Sequence, residues 1–244
     1  MKQRLILPVL LLALTLALSG RSQAQSDMTV VELFTSQGCS SCPPAEAYLG
    51  ELAARDDVVA LELHVDYWDY IGWKDRFAQS AFTDRQKAYS RKLGSRYVYT
   101  PQMVIGGATH VVGSDRVAVE NALVAQRRAR ADDGNGPKIT MTHGADAIEI
   151  VIDGEAEGTF DVMIAAFDRR HETKVTRGEN AGRNLTNSNV VRSLERIGGW
   201  SGGTMTLTVP LDDVMARGGC AVLLQAPDHG PIIAATSLTL DHEG

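Results

Sequence analysis

The chain is poor in cysteine, in aromatic residues and in positive charge. Three cysteines in 244 residues are too few for a small disulfide-stapled fold, and an odd number cannot all pair within one chain. Aromatic residues make up 6% against 44% apolar residues overall, so any core is built mainly from aliphatic side chains. Lysine and arginine number 24 against 30 acids. There is no basic block, which argues against nucleic acid or an anionic lipid surface as a partner. No fixed-period repeat, low-complexity tract, serine-histidine-acid motif or paired-carboxylate motif is evident.

One long apolar run is present, Leu5 to Leu18. Lys2 and Arg4 precede it, and Ser22-Gln23-Ala24 follows with the small-x-small pattern of a signal-peptidase site. Residues 1–24 therefore read as a cleaved secretory signal. The competing reading is a membrane anchor, but the run contains Pro8 and is shorter than the ~20 residues that span a bilayer. Arg21, not cysteine, follows Leu18-Ser19-Gly20, so no lipid anchor is expected. Cleavage removes Lys2, Arg4 and Arg21 and no acid, leaving 21 cations against 30 acids and a formal charge of −9. The expectation is an exported protein, periplasmic or secreted, with no membrane anchor after cleavage. Disulfides persist in such compartments.

Beyond residue 24 the first half alternates strand and helix patterns. Met28 to Phe34 reads as a buried strand, Pro43 to Arg55 as a helix and Val58 to Val65 as a second strand. Trp73 to Leu93 reads as a long helix stopped by Gly94. Gln102 to Ile105 and Thr109 to Val112 form a hairpin around Gly106-Gly107. A last helix starts after Ser114. Ala131 to Pro137 is polar and rich in turn formers, which predicts a linker over 131–137 between domains at 25–130 and 138–244. The second half shows six strand-like stretches: 138–143, 147–153, 160–168, 204–209, 220–225 and 232–240. Their spacing predicts an all-β, sandwich-like domain. Cys220 lies in the apolar stretch Cys220 to Leu224 and reads as a buried, inert thiol.

Cys39-Ser40-Ser41-Cys42 falls between the first strand and the first helix. In an α/β fold that junction lies at the C-terminal edge of the sheet, where sites gather. Thiols near a helix N-terminus ionise more readily than free cysteine. Cys39 could then attack a substrate sulfur and Cys42 resolve the mixed disulfide. A purely structural staple is the alternative. Closing so short a loop removes only about 2 kcal/mol of unfolded-chain entropy, against ~4.7 kcal/mol for a 100-residue loop.

The order of elements, the CxxC position and Thr100-Pro101 ahead of a strand and a Gly-Gly turn resemble the thioredoxin superfamily. That resemblance implies a thioredoxin-like α/β N-terminal domain. It also implies Cys39 as nucleophile, Cys42 as resolving thiol, Pro101 as a cis-proline and the Thr100 backbone as a substrate contact. Phe34-Thr35-Ser36-Gln37-Gly38-Cys39-Ser40-Ser41-Cys42-Pro43-Pro44, His64-Val65-Asp66-Tyr67-Trp68-Asp69 and Thr176-Arg177-Gly178-Glu179-Asn180 resemble an exported bacterial family, domain-of-unknown-function family 1223. Pro43 and Pro44 follow the pair directly, so the helix begins at Pro43 with Cys42 as its cap.

His64 and Asp66 sit at the end of the second strand, on one face by period two. They read as a proton relay, as metal ligands with Cys39 and Cys42, or as a hydrogen-bonded pair ordering the next loop. The glycine-rich segment Arg177 to Asn184 reads as an anion loop, a cover over the pair or a solvated connection. Three functions follow. The first is an exported thiol–disulfide oxidoreductase acting on a protein or a small thiol or disulfide, with no cofactor beyond the disulfide. The second is a copper- or other metal-binding or metallochaperone module using Cys39, Cys42 and His64. The third is a partner-binding module without catalysis.

Overall fold

The computed structural model describes residues 23–24, 28–132, 134, 136–214, 216 and 218–240. The signal predicted over 1–24 falls outside them except for Gln23–Ala24. In chain order the elements begin with β1 (Gln23–Ala24), β2 (Thr29–Thr35), α1 (Pro43–Leu52), β3 (Val58–His64), α2 (Ser80–Lys92), β4 (Gln102–Ile105), β5 (Thr109–Val112) and α3 (Arg116–Asp132). The second half adds β6 (Lys138–His143), β7 (Ala147–Asp153), β8 (Phe160–Lys174), β9 (Asn184–Trp200), β10 (Met205–Pro210), β11 (Gly219–Gln225) and β12 (Ile232–Thr239).

Eight strands form one mixed sheet in the order β12-β11-β8-β9-β3-β2-β4-β5, and four form a second sheet, β1-β6-β7-β10. The expectation of a thioredoxin-like α/β domain followed by a separate all-β domain is therefore corrected. The large sheet runs through both halves of the chain, with three α-helices among the described residues. The link is β9, which pairs parallel to β3 at Glu62 and Val190 and antiparallel to β8 along its length. Its sequence is rich in Asn, Ser, Arg and Gly and carries little β-propensity of its own. Tertiary pairing decides its conformation.

Alternation along the strands sets the layers. On β11, Ala221 and Leu223 face one core, while Cys220, Val222 and Leu224 face another. The first of these cores also takes Val30, Phe34, Leu61 and Leu63 from β2 and β3, and Phe82 and Tyr89 from α2. The second lies between the large sheet and the small one, around Ile139, Ile148, Ile150 and Trp200. A third packs Ala45, Leu49 and Leu52 of α1 and Val119 and Leu123 of α3 on Val31, Leu33 and Ala60. Each fully buried aliphatic side chain contributes about 1.5–3 kcal/mol.

Two local expectations shift. The long helix over 73–93 is α2 from Ser80 only, because Asp75 turns the preceding segment. Its carboxylate accepts from its own neighbour Phe77 N (3.0 Å), and its N–H donates to Asp69 Oδ1 (3.1 Å). α3 is capped by Asp115, whose Oδ1 accepts from Ala118 N, and the helix continues to Asp132 inside the segment read as a linker. No helix among the described residues is long and apolar enough to cross a membrane.

Candidate functional site

β2 ends at Thr35 and α1 begins at Pro43, and the pair closes the turn between them. Cys39 and Cys42 form a disulfide with Cα atoms 5.4 Å apart. Cys42 has helical dihedrals (φ −78°, ψ −36°) and stands at the N-cap position, with prolines at the first two helical positions. Cys42 O accepts from Ala45 N and Glu46 N. Cys39 Sγ lies 3.3 Å from Ser41 Oγ. Both cysteines are 0% exposed, although Ser40 and Ser41 between them face solvent.

The far half of the chain binds the loop's backbone. Asn180, itself buried, donates from Nδ2 to Gln37 O and to Cys39 O, both at 2.9 Å. Glu179 Oε2 accepts from Ser40 N at 3.1 Å, and the Ser40 hydroxyl, helped by this N–H, holds the Glu179 carboxyl below its ordinary value. Of the readings open for this segment, the geometry is that of a strap over the pair. Gly178 and Gly182 bracket the strap with φ of 74° and 85°. A Cβ at Gly178 would also meet Trp73 Cβ at 3.1 Å. From below, Gln37 Nε2 donates to Thr173 Oγ1 and Asn187 Oδ1, and Trp73 Nε1 donates to Gln37 Oε1. The CxxC loop is thus anchored by β8, β9 and the strap.

Beneath α1 lies a buried polar cluster. Val31 and Leu33 of β2 and Val58 and Ala60 of β3 face α1, so Thr35, Glu62 and His64 do so by period two. Thr35 and His64 are register partners. Glu46 comes down from α1 and accepts from Thr35 Oγ1 at 2.8 Å. His64 Nδ1 bonds Asp75 Oδ2 at 2.7 Å, and the same oxygen accepts from Gln37 N at 2.8 Å. His64 Nε2 faces Glu62 Oε1 at 3.4 Å without hydrogen-bond geometry. Glu62 is itself held by Asn187 Nδ2 and Ser188 N, both at 2.7 Å.

The electrostatics follow from this layout. Burial alone would depress the His64 imidazolium, but the Asp75 and Glu62 carboxylates outweigh it and raise it to about 10. Burial would raise Asp75, and the His64 charge with two backbone N–H donors brings it below its ordinary value. Burial, reinforced by the Glu62 charge, pushes the Glu46 carboxyl up to about 8. Burial likewise pushes the free Cys220 thiol up to about 12.

The sequence-derived residues separate into two groups. Cys39, Cys42 and His64 share the end of β2 and β3. The Thr100–Pro101 peptide is cis, and the β2–β4 register brings Pro101 beside the end of β2. Trp68 Nε1 donates to Thr100 Oγ1 at 2.8 Å. Asp66 turns away. It accepts from Thr83 Oγ1 at 2.6 Å at the start of α2, and Asp75 takes its place beside His64. Among the described residues no group of three His, Cys, Asp or Glu side chains is arranged to hold a metal ion. Asp75, Glu46 and Glu62 were missed by sequence reasoning, and Asn180 was singled out only as part of the segment Arg177 to Asn184. Glu62, a lone acid inside the apolar run Val58 to Val65, and Glu46, four residues after Cys42, were the available signals.

A strand-to-helix disulfide, buried beyond the end of a sheet strand and with its loop bonded by a distant segment, defines a CxxC protein with a buried pair. The chain belongs to the family described as a protein of unknown function (DUF1223), whose profile matches residues 30–225. It is similar to a protein of Agrobacterium tumefaciens solved by X-ray crystallography in a structural genomics programme. The two share 37% identity and a TM-score of 0.78 over 90% of this chain and 100% of that one. No curated protein matches this chain.

Proposed function

We propose that the protein exchanges thiols and disulfides through Cys39 and Cys42. The observation that carries the reading is the pair itself: two cysteines joined at the mouth of α1, in a loop held by hydrogen bonds from β9 and the strap. A thiolate forming there sits at the positive end of the α1 dipole, although prolines at the first two helical positions offer it no N–H. Locally, the turn beside a cis-proline resembles the active site of the thioredoxin superfamily. On that resemblance Cys39 is the nucleophile, Cys42 resolves the mixed disulfide, and the Thr100–Pro101 backbone meets the substrate chain. Because both sulfurs are buried, exchange requires a neighbouring segment to move aside, and the strap over 178–182, bonded to Gln37 O, Cys39 O and Ser40 N, is the segment we assign to that motion. With residues 1–24 as a cleaved signal, the reaction would run outside the cytoplasm on protein or small-molecule thiols and disulfides.

The test is disulfide exchange with glutathione at graded reduction potentials, read by alkylating the free thiols. The expected result is one reversible two-electron transition in the wild type, with no reversible transition in Cys39→Ser. Exchange that persists unchanged in Cys39→Ser, or a disulfide that never reduces, overturns the reading.

A further inference from the structure

We propose that the cleft between β9 and β10 receives an extended, basic segment of a partner protein, which pairs with β10 and lengthens the small sheet by one strand. The site is separate from the cysteine pair and does not depend on the exchange reading.

The backbone supplies the first observation. β10 is the last strand of the small sheet, and among the described residues it pairs with β7 alone. Gly203 N donates to Gly154 O and Leu211 N to Asp146 O, and both bonds extend the β7–β10 register. Along an antiparallel ladder, residues bonded to the partner alternate with residues turned outward. Met205, Leu207 and Val209 therefore bond to β7, while Thr206 and Thr208 turn N–H and C=O to the open edge. Edge strands are ordinarily guarded by a charge, a proline or a bulge. The stretch Met205 to Val209 carries no charge, and its register with β7 runs without a shift. Pro210 blunts its last position only.

The side chains supply the second. Leu207 and Val209 pack toward the core between the two sheets, yet stay half-buried. Across from them, Ser193 and Glu195 of β9 are register partners of Ala166 and Ile164. Those two belong to the same core, so Ser193 and Glu195 face it as well. On its other side β9 meets β3 at Val190, and Gln79 Nε2 donates to Arg192 O at 3.0 Å. Beyond that point β8 is its one strand neighbour among the described residues. The sandwich is thus open along this seam, with a cleft of about 440 Å³ between β9 and β10. A sealed sandwich would carry apolar residues at such inward positions.

Charge names the occupant. Glu195, Asp212 and Asp213 line the cleft together with Ile164, Ile197 and Leu207. None of these three carboxylates has an ion-pair or hydrogen-bond partner among the described residues. The arginines of β9 do not supply one, since Arg192 pairs with Asp168 and Arg196 with Asp161. Unopposed acids around an apolar floor fit a chain whose inward side chains include both apolar residues and lysine or arginine. An added strand also takes up the outward N–H and C=O groups of Thr206 and Thr208, which gives affinity without regard to sequence. A second copy of this chain would bring the same acids to the seam, and like charges oppose that pairing. A small cation would leave the backbone groups of the edge unused.

The test uses the full chain and a fluorescent peptide of about ten residues, long enough for one strand. The peptide repeats threonine, valine, threonine and lysine, so that valine and lysine share one face. Its control carries glutamate in place of lysine. Fluorescence anisotropy should show binding of the lysine peptide and about tenfold or more weaker binding of the glutamate peptide, a gap that narrows as salt rises. Joint replacement Glu195→Gln, Asp212→Asn and Asp213→Asn should weaken binding of the lysine peptide by about tenfold. Thr208→Pro removes one outward N–H and no bond to β7, and it should weaken binding to a similar degree. The lysine peptide should also slow amide hydrogen exchange at Thr206 and Thr208 in the wild type. Equal affinity for the two peptides, no binding of either, or binding that leaves exchange at Thr206 and Thr208 unchanged overturns the proposal. So does a concentration-dependent dimer that Thr208→Pro abolishes, because the occupant would then be a second copy of this chain.

Discussion

Asn180→Ala isolates the strap. The side chain makes two donor contacts at 2.9 Å, to the carbonyls of Gln37 and Cys39, and its own oxygen accepts from Arg183 Nη1 at 3.1 Å. The two carbonyl bonds are neutral and buried, and each stabilises the closed strap by about 1 kcal/mol. Losing both lowers closure by about 2 kcal/mol, or roughly 30-fold in the ratio of closed to open strap. If the strap opens and recloses faster than a thiol attacks, the rate of disulfide reduction follows the open population. The Cys39–Cys42 bond in Asn180→Ala should then be reduced by dithiothreitol roughly 30-fold faster than in the wild type at the same pH. Glu179→Gln, which alters a single solvent-exposed contact to Ser40 N, should change the rate by less than about threefold. Equal rates in Asn180→Ala and the wild type would refute the strap as the barrier. Glu179→Gln acting as strongly as Asn180→Ala would assign closure to the exposed carboxylate instead.

The fold was legible where local pattern and tertiary environment agree. β4, β5, β6 and β7 lie where the sequence expects them, because Pro101 opens β4, Gly106-Gly107 separates it from β5, and glycines at 113, 136, 144 and 154 mark the other ends. β9 was not legible. Asn184, Asn187, Ser188, Asn189, Arg192, Gly198 and Gly199 would suit a loop, and Asn189 even has φ of 49°. What makes it a strand is long-range pairing. β8 supplies an antiparallel partner along its length, and β3 supplies Glu62, whose carboxylate takes Asn187 Nδ2 and Ser188 N. With β9 missing, the two halves read as separate domains. With it, they share a sheet.

The site divides in the same way. Cys39 and Cys42 were legible because a strand-CxxC-helix arrangement is a local pattern. The partner of His64 was not, because period two selects Asp66 while the chain folds back to deliver Asp75 eleven residues on. Asp66 was free to bond elsewhere, and the Thr83 hydroxyl holds it. The same logic applies to Glu32. It sits on the opposite face of β2 and bonds Arg85 at 2.6 Å, and Arg85 in turn reaches Tyr89 and Gln225 of β11. Acids inside apolar strands therefore mark the places where distant segments dock, and no local window identifies the segment.

Two further perturbations test the buried cluster beneath α1. Glu62→Ala strips Asn187 Nδ2 and Ser188 N of their acceptor at the β3–β9 junction and leaves His64 with Asp75 alone. It should lower stability by about 3 to 5 kcal/mol in urea unfolding, since the donors stay buried without a partner. A loss under ~1 kcal/mol would mean that the junction does not depend on Glu62. The second perturbation is pH, read as the stability gap between wild type and His64→Gln. A raised imidazolium stabilises the fold fully below the unfolded-state value of ~6.5, and that contribution is lost as pH rises through the folded value. Here the folded value is about 10. The gap should therefore be widest near pH 6 and shrink between pH 7 and 10.5. Asp75 runs the other way. Its depressed carboxyl contributes above the ordinary carboxylate range, and the contribution is lost as pH falls through its folded value. Acid should therefore weaken the same pair from the other partner. A gap that stays constant from pH 6 to 10.5 would show that His64 is neutral in the folded protein, and the two carboxylates beside it would then need another counter-charge.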